Sequence, residues 1–277
     1  MTYDPLASPP LITADLPGIG GRCKDQPEDF EVEEIPAYEP SGTGDFLYLW
    51  IEKRDLGAEF FQRQLARRLA IGSQDIGMAG LKDRRAVTRQ WVSVPPNVAD
   101  RLDRVNGEGV RLLHWSRHGN KLRPGHLRGN RFRVLIRDVD AAAGERLPPL
   151  LQRLKQEGLP NFYGPQRFGR DGETALLGLA LLRGEAEPPA FFKGRWPVRN
   201  LFLRKLSLSA AQSGLFNHYL ARRMAEGLWR KVLPGDVMAK WPFGGLFVAE
   251  DMEREQARLD ARETVPAGPM FGRKTFA

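Results

Sequence analysis

Two short segments with a two-residue hydrophobic period, followed closely by a stripe of helical period, restrict this chain to a mixed α and β core. In residues 30–35, Phe30 and Val32 alternate with Glu31 and Glu33, and residues 45–53 form a β-rich run with aromatics at 46, 48 and 50. Both patterns predict strands, because successive strand side chains point to opposite faces. Between them Pro36, Pro40, Ser41, Gly42 and Gly44 predict a turn-rich connection. Ala58, Phe61, Leu65 and Leu69 then recur at helical spacing, with Arg63, Arg67 and Arg68 off the stripe and Gly72 at the expected C-cap.

Further along, strands are predicted over residues 87–94 and 132–136, and a helix through Leu147, Leu150, Leu151 and Leu154 that ends at Gly158. The order lacks the regular strand and helix alternation of a doubly wound sheet, so an α+β fold is expected. Over residues 184–197, glutamates, the adjacent Pro188 and Pro189, and a Gly-Arg-Trp-Pro piece interrupt a helix over 174–182, which predicts a domain junction. Beyond it, Ser209 with Gln212 predicts a capping box for a helix through Phe216 and Leu220, and residues 251–263 read as helical.

Length and composition bound the function classes. A chain of 277 residues that is 42% hydrophobic and 27% charged suits one large or two medium folded domains. Its longest apolar stretches, residues 46–51 and 175–182, fall far short of the roughly 20 residues that cross a bilayer. No basic segment leads into an apolar run at the N-terminus, so neither a membrane span nor a secretory signal is expected. Cys23 is the only cysteine, which excludes an internal disulfide framework and a cysteine-based zinc site, and a cytoplasmic setting is expected.

The net charge of +8 favours a polyanionic partner, and its distribution says more. Residues 1–40 hold nine acids against Arg22 and Lys24, whereas residues 111–137 hold eight Lys or Arg, no acid, and three of the four histidines. Trp115, Phe132 and glycines 119, 125 and 129 lie in the same block, which predicts a flexible basic loop interleaved with aromatics and leading into a strand. Such a segment suits phosphate contacts and base stacking on RNA. The competing reading is a solvated hairpin, disfavoured because a run of that length without an acid bears its own repulsion.

Common catalytic signatures are absent: there is no Walker A loop, no G-x-S-x-G and no H-E-x-x-H. Gly18 to Gly21 lack the spacing of a nucleotide cradle, and the clustered histidines sit among arginines without nearby carboxylates. Neither a metal nor an organic cofactor is expected. The most informative stretch is Ala79-Gly-Leu-Lys-Asp-Arg-Arg-Ala-Val-Thr-Arg-Gln-Trp91, where Asp83 sits between Lys82 and Arg84 in a turn that leads into a strand. A carboxylate kept ionised beside cations can serve as a nucleophile, although in isolation an exposed turn aspartate is the commoner case. A second stretch, Asn161-Phe-Tyr-Gly-Pro-Gln-Arg-Phe-Gly169, sets an amide, aromatics and an arginine between glycines. An amide can orient a carboxylate, and an aromatic can stack on an extruded base.

These two stretches resemble the principal signatures of the TruD family of tRNA pseudouridine synthases. Lys24-x-x-Pro27-Glu-Asp-Phe30-x-Val32-x-Glu34 is similar to that family's opening motif. Similarity extends to Lys121-Leu-Arg-x-Gly125-x-Leu-x-Gly129-Asn130, to Leu208-Ser-Ala-Ala-x-Ser213-x-Leu-Phe-Asn217 and to Gly268-Pro-Met-Phe-Gly272, in the family's order. The resemblance implies isomerisation of a tRNA uridine, in that family uridine 13, to pseudouridine without a cofactor. It implies Asp83 as the catalytic aspartate, attacking either the uracil ring or ribose C1′, and Asn161 as its orienting amide. Phe30 would stack near the flipped base and Lys24 would lie beside the acid as a charge partner. Arg167 and the basic run, with Lys121, Arg123, Arg128 and Arg131, would position the RNA. The implied partner is tRNA with no protein partner, hence a monomer.

For the fold, the resemblance implies a mixed, mainly antiparallel pseudouridine-synthase sheet with flanking helices in residues 1–195 and part of a smaller inserted α/β domain in 196–277. Two departures stand out. The family's G-x-G-x-H is Gly42-Thr-Gly44-Asp45-Phe46 here, and Tyr163 replaces the usual Phe, which adds a hydroxyl and makes Tyr163 a further expected site residue. Relatives also continue beyond the Gly-Pro-x-Phe-Gly segment, so the inserted domain is expected to be incomplete. That leaves an alternative of another class, a tRNA-binding or RNA-folding factor without turnover.

Overall fold

The computed structural model describes residues 8–196, 198–242, 244–270 and 272; Pro197 of the predicted junction and Phe271 of the Gly-Pro-Met-Phe-Gly segment lie outside the described residues. The fold is α+β, in two units: Gly18–Glu145, and Met1–Pro17 with Arg146–Ala277.

The first unit runs through β1 (Gly20–Cys23), β2 (Phe30–Pro36), β3 (Phe46–Arg54), α1 (Ala58–Leu69), β4 (Gly77–Met78), β5 (Val87–Val94), β6 (Val110–His118), β7 (Leu127–Val134) and β8 (Ile136–Val139). Its main sheet has the order β6-β3-β5-β2-β7, with β4 continuing the β2 side of β5, and only β2 against β5 is parallel. Alternation in β3 sends Leu47, Leu49 and Ile51 to one face. There they pack with Val92 and Val94 of β5, with Phe61, Leu65 and Leu69 of α1, and with Val98, Leu102 and Val105 from 3-10 turns over Pro96–Val105. Each fully buried Leu or Phe in that layer contributes roughly 1.5–3 kcal/mol. Tyr48 and Trp91 point to the other face, with Trp50, Phe46 and Leu122.

Two expectations change in this unit. The C-cap of α1 is Ala70, not Gly72: Ala70 adopts a left-handed φ of 54°, and the Ala70 and Ile71 amides donate back to the Arg67 and Ala66 carbonyls. This reversal lets Ile71 pack against the core, a contact that favours the left-handed residue even without glycine. Residues 132–136 are not one strand. The Leu135 amide donates to the Asp29 carbonyl at 2.8 Å, which ends β7, and β8 pairs instead with β1.

The basic block is likewise mostly strand rather than loop. β6 and β7 are the outer strands of the sheet path, and only residues 119–126 connect them. The acid-poor run does not bear its own repulsion, because acids from β2, β3 and the preceding turn face it. Arg111 pairs with Glu52 at 2.9 Å, Arg133 with Glu31 at 3.3 Å, Arg131 with Glu33 at 3.2 Å, and Arg137 with Asp29 at 2.7 Å. Arg89 bridges Glu52 and Glu31, which completes an ionic row of Arg111, Glu52, Arg89, Glu31 and Arg133 across five strands.

The second unit holds most of α2 (Ala143–Glu157), then α3 (Glu173–Arg183), α4 (Leu201–Ala225), β9 (Val237–Lys240), β10 (Leu246–Val248), α5 (Met252–Asp260) and β11 (Thr264–Pro266). The three strands form an antiparallel sheet of order β10-β9-β11 around Met238. α3 packs on α4 where Gly178 lies against the Ser207 carbonyl, with no room for a Cβ. Ser209 is not the N-cap of α4. Asn200 is, its side chain accepting from the Leu203 amide at 3.0 Å, and Ser209 lies two turns inside, its hydroxyl taken by Arg167. Among the described residues no helix is long and apolar enough to cross a membrane.

Candidate active site

The first unit brings Lys24, Phe30 and Asp83 together. Phe30 opens β2, whose inward row continues through Val32 and Glu34. Lys24 leaves β1 in a left-handed conformation, φ 62°, unusual for a non-glycine residue, and its Nζ sits 3.7 Å above the centre of the Phe30 ring. The same Nζ is 3.2 Å from Oδ2 of Asp83. Phe132 of β7 extends the aromatic surface, its ring centre 5.8 Å from that of Phe30. The side chain of Asp83 is 53% exposed, so a substrate can reach it.

The turn that carries Asp83 is held from beneath. The side chain of Lys82 turns inward to Glu34 at 2.7 Å, both ends out of contact with water. Lys53, the inward residue that follows Leu47, Leu49 and Ile51, donates from Nζ to the carbonyls of Asp83 at 2.9 Å and Leu56 at 2.6 Å. Burial pushes the Lys53 amine down to about 8, opposed by the negative charge of Asp83. Sequence reasoning missed both anchors. The signal is visible in retrospect, since Glu34 and Lys53 are charged residues at inward positions of strands whose other inward residues are apolar.

A third buried charge fixes the turn before Phe30. Both carboxylate oxygens of Asp29 accept from Arg137 at 2.7–3.0 Å, and one also accepts from the Gln26 amide at 3.0 Å. The Arg137 guanidinium holds the Asp29 carboxyl down at about 2.

The cations expected to meet RNA divide into free and engaged groups. The side chains of Arg123 and Arg128 are exposed and have no hydrogen bond or ion pair among the described residues. Arg131 is spent on Glu33, and Nζ of Lys121 donates to the Gln74 carbonyl. By strand alternation Arg128 shares the face of Phe132 and Phe30, whereas Arg131 lies on the opposite face with the ionic row. Lys121 and Arg123 line an open groove with Gly80 and Leu81, at the start of the Asp83 turn.

The remaining expected residues belong to the second unit. Asn161 is exposed. The side chain of Asn217 clamps Tyr163 by its main chain, accepting from the Tyr163 amide at 2.9 Å and donating to its carbonyl at 2.8 Å. The Tyr163 ring meets Phe216 edge-on at 5.7 Å. Nε of Arg167 donates to the Ser213 hydroxyl at 2.9 Å, Nη2 donates to that of Ser209, and the guanidinium lies 5.6 Å from the Tyr163 ring centre. Arg167 therefore braces the Asn161–Gly169 turn against α4. Among the described residues no three His, Cys, Asp or Glu side chains are grouped to hold a metal ion.

In the first unit the Asp83 carboxylate, the Lys24 ammonium and the Phe30 ring thus form one exposed group, a combination chemically suited to a planar, charged ligand. Comparison with known proteins places the chain in a family. The family model "TruD: tRNA pseudouridine synthase D (TruD)" matches residues 10–191 and 199–277. A tRNA pseudouridine synthase D from Anaeromyxobacter sp. (strain Fw109-5) is 48% identical over 97% of this chain and 75% of its own length. One from Thermus thermophilus is 44% identical over 96% of this chain and 71% of its own. The chain belongs to the tRNA pseudouridine synthase D family. A crystal structure from Methanosarcina mazei, whose own assignment to TruD is provisional, has the same fold, with a TM-score of 0.77 at 24% identity over 95% of this chain and 76% of that one.

Proposed function

We propose that this chain isomerises a uridine in tRNA to pseudouridine, with Asp83 as the catalytic carboxylate. The observation that carries the assignment is the grouping of Asp83, Lys24 and Phe30 on one exposed edge, in a member of this family. The reaction breaks the bond from N1 to C1′, joins C5 to C1′, releases the C5 hydrogen as a proton and returns a proton to N1. It is redox-neutral, and its demands are a base out of the stack and a placed carboxylate. Asp83 attacks the ring or C1′; Lys24 keeps a positive charge beside it; Phe30, widened by Phe132, offers the flat surface on which an extruded uracil stacks.

Arg123 and Arg128 take backbone phosphates, with smaller shares for Lys121 and Arg131, whose charges are already engaged. For Asn161, Tyr163 and Arg167 the family resemblance, rather than a distance, supports a part in the same reaction, with Asn161 orienting the carboxylate. The same resemblance supports uridine 13 as the target, residues 1–195 as the catalytic part and 196–277 as part of an inserted domain. A monomer in the cytoplasm fits a tRNA substrate.

The test is incubation of the protein with a tRNA transcript carrying tritium at C5 of its uridines. Release of one tritium per tRNA into water is expected; tRNA binding without release would overturn the assignment.

A further inference from the structure

Lys53 is 1% exposed, in a row of β3 otherwise filled by Leu47, Leu49 and Ile51. An aliphatic residue would fill such a position without desolvating an ammonium, which is costly. What Lys53 gains is two main-chain acceptors, the carbonyl of Leu56 on the turn into α1 and the carbonyl of Asp83. Either protonation state keeps both bonds, since a neutral amine still carries two N–H groups.

The Asp83 turn is thus tethered at adjacent points from below. Lys82 is tied through its side chain to Glu34, and Asp83 through its main chain to Lys53. The Asp83 carboxylate itself is left half exposed, with Lys24 as its partner. A rigid main chain under an open carboxylate is what a reacting group needs, because a misplacement of about 1 Å can cost about a hundredfold in rate. We infer that Lys53 is a positioning residue for the reaction, fixing the main chain at Asp83 so that its carboxylate faces Lys24 and Phe30. This rests on Asp83 being the catalytic group.

The test uses the full chain with Lys53→Met and Lys53→Gln, the latter retaining a neutral donor on a shorter stem. Single-turnover tritium release at saturating protein, tRNA Kd by filter binding, and amide hydrogen exchange are measured for each. Lys53→Met is expected to slow release by about 10- to 100-fold, with Kd within about twofold. Exchange should quicken over residues 81–86 while β3 and α1 stay protected, and Lys53→Gln should fall between Met and wild type. Wild-type release in Lys53→Met, or loss of protection throughout the first unit together with loss of tRNA binding, would overturn the positioning role. If Lys53→Met does not fold, Lys53→Gln decides: slower release with faster exchange confined to the turn supports the role, and wild-type release refutes it. Asp83→Asn, measured alongside, separates the two claims. Wild-type release there would sink the catalytic reading, whereas wild-type release only in the Lys53 variants would sink positioning alone.

Discussion

Lys82 and Glu34 form an ion pair of 2.7 Å in which the two side chains are 2% and 0% exposed, directly behind the exposed Asp83. Removing one partner leaves the other charge buried and uncompensated. Glu34→Gln is therefore expected to cost about 3–5 kcal/mol in urea unfolding. The double change Glu34→Met with Lys82→Met should recover most of that loss, because desolvating the pair offsets much of its attraction. Simple addition of the two single losses would contradict the pairing.

Asp29 gives the fold an acid-sensitive joint. Its carboxyl is held at about 2 by Arg137 against an ordinary 3.8, so between those values the unfolded chain binds more protons than the folded one. The contribution of the pair is complete above about pH 4 and lost as pH falls toward 2. Asp29→Asn should lower the urea midpoint at pH 6, and its difference from wild type should shrink as pH approaches 2. A difference independent of pH would contradict the ion pair.

Among the described residues the side chains of Arg123 and Arg128 have no partner, whereas Arg131 already faces Glu33. Replacing either free arginine by Gln should weaken tRNA binding and reduce the slope of log Kd against log salt by about 0.7–1. Arg131→Gln should change the slope less. Equal effects at all three would show that the pairing with Glu33 does not persist in the complex.

Gly178 is where α3 and α4 touch. A Cβ there would lie 2.0 Å from the Ser207 carbonyl oxygen, so Gly178→Ala must push the helices apart. A loss of about 1–3 kcal/mol in chemical unfolding is expected; an unchanged midpoint would mean that the pair separates freely.

Legibility followed the range over which each residue's partners act. The alternation of Phe30 and Val32 with Glu31 and Glu33, the aromatics of β3 and the stripe of α1 were all legible, because period and burial are local. β6 and β7 look largely like loop in the sequence, since the acids that neutralise their arginines, Glu31, Glu33 and Glu52, lie 59 to 102 positions away. Ser209 resembled a cap because its hydroxyl's true partner, Arg167, is 42 positions distant. Ordered motifs single out Asp83, Phe30 and Lys24, and the structure brings the three together. For Lys53 the alternation of β3 marks only an inward lysine; the carbonyl it meets at Asp83 lies 30 positions away and carries no local signature.

If Asp83 performs the chemistry, Asp83→Asn slows single-turnover tritium release by more than about a thousandfold, with tRNA Kd and Tm close to wild type. Release at the wild-type rate by a folded, tRNA-binding Asp83→Asn protein would contradict it.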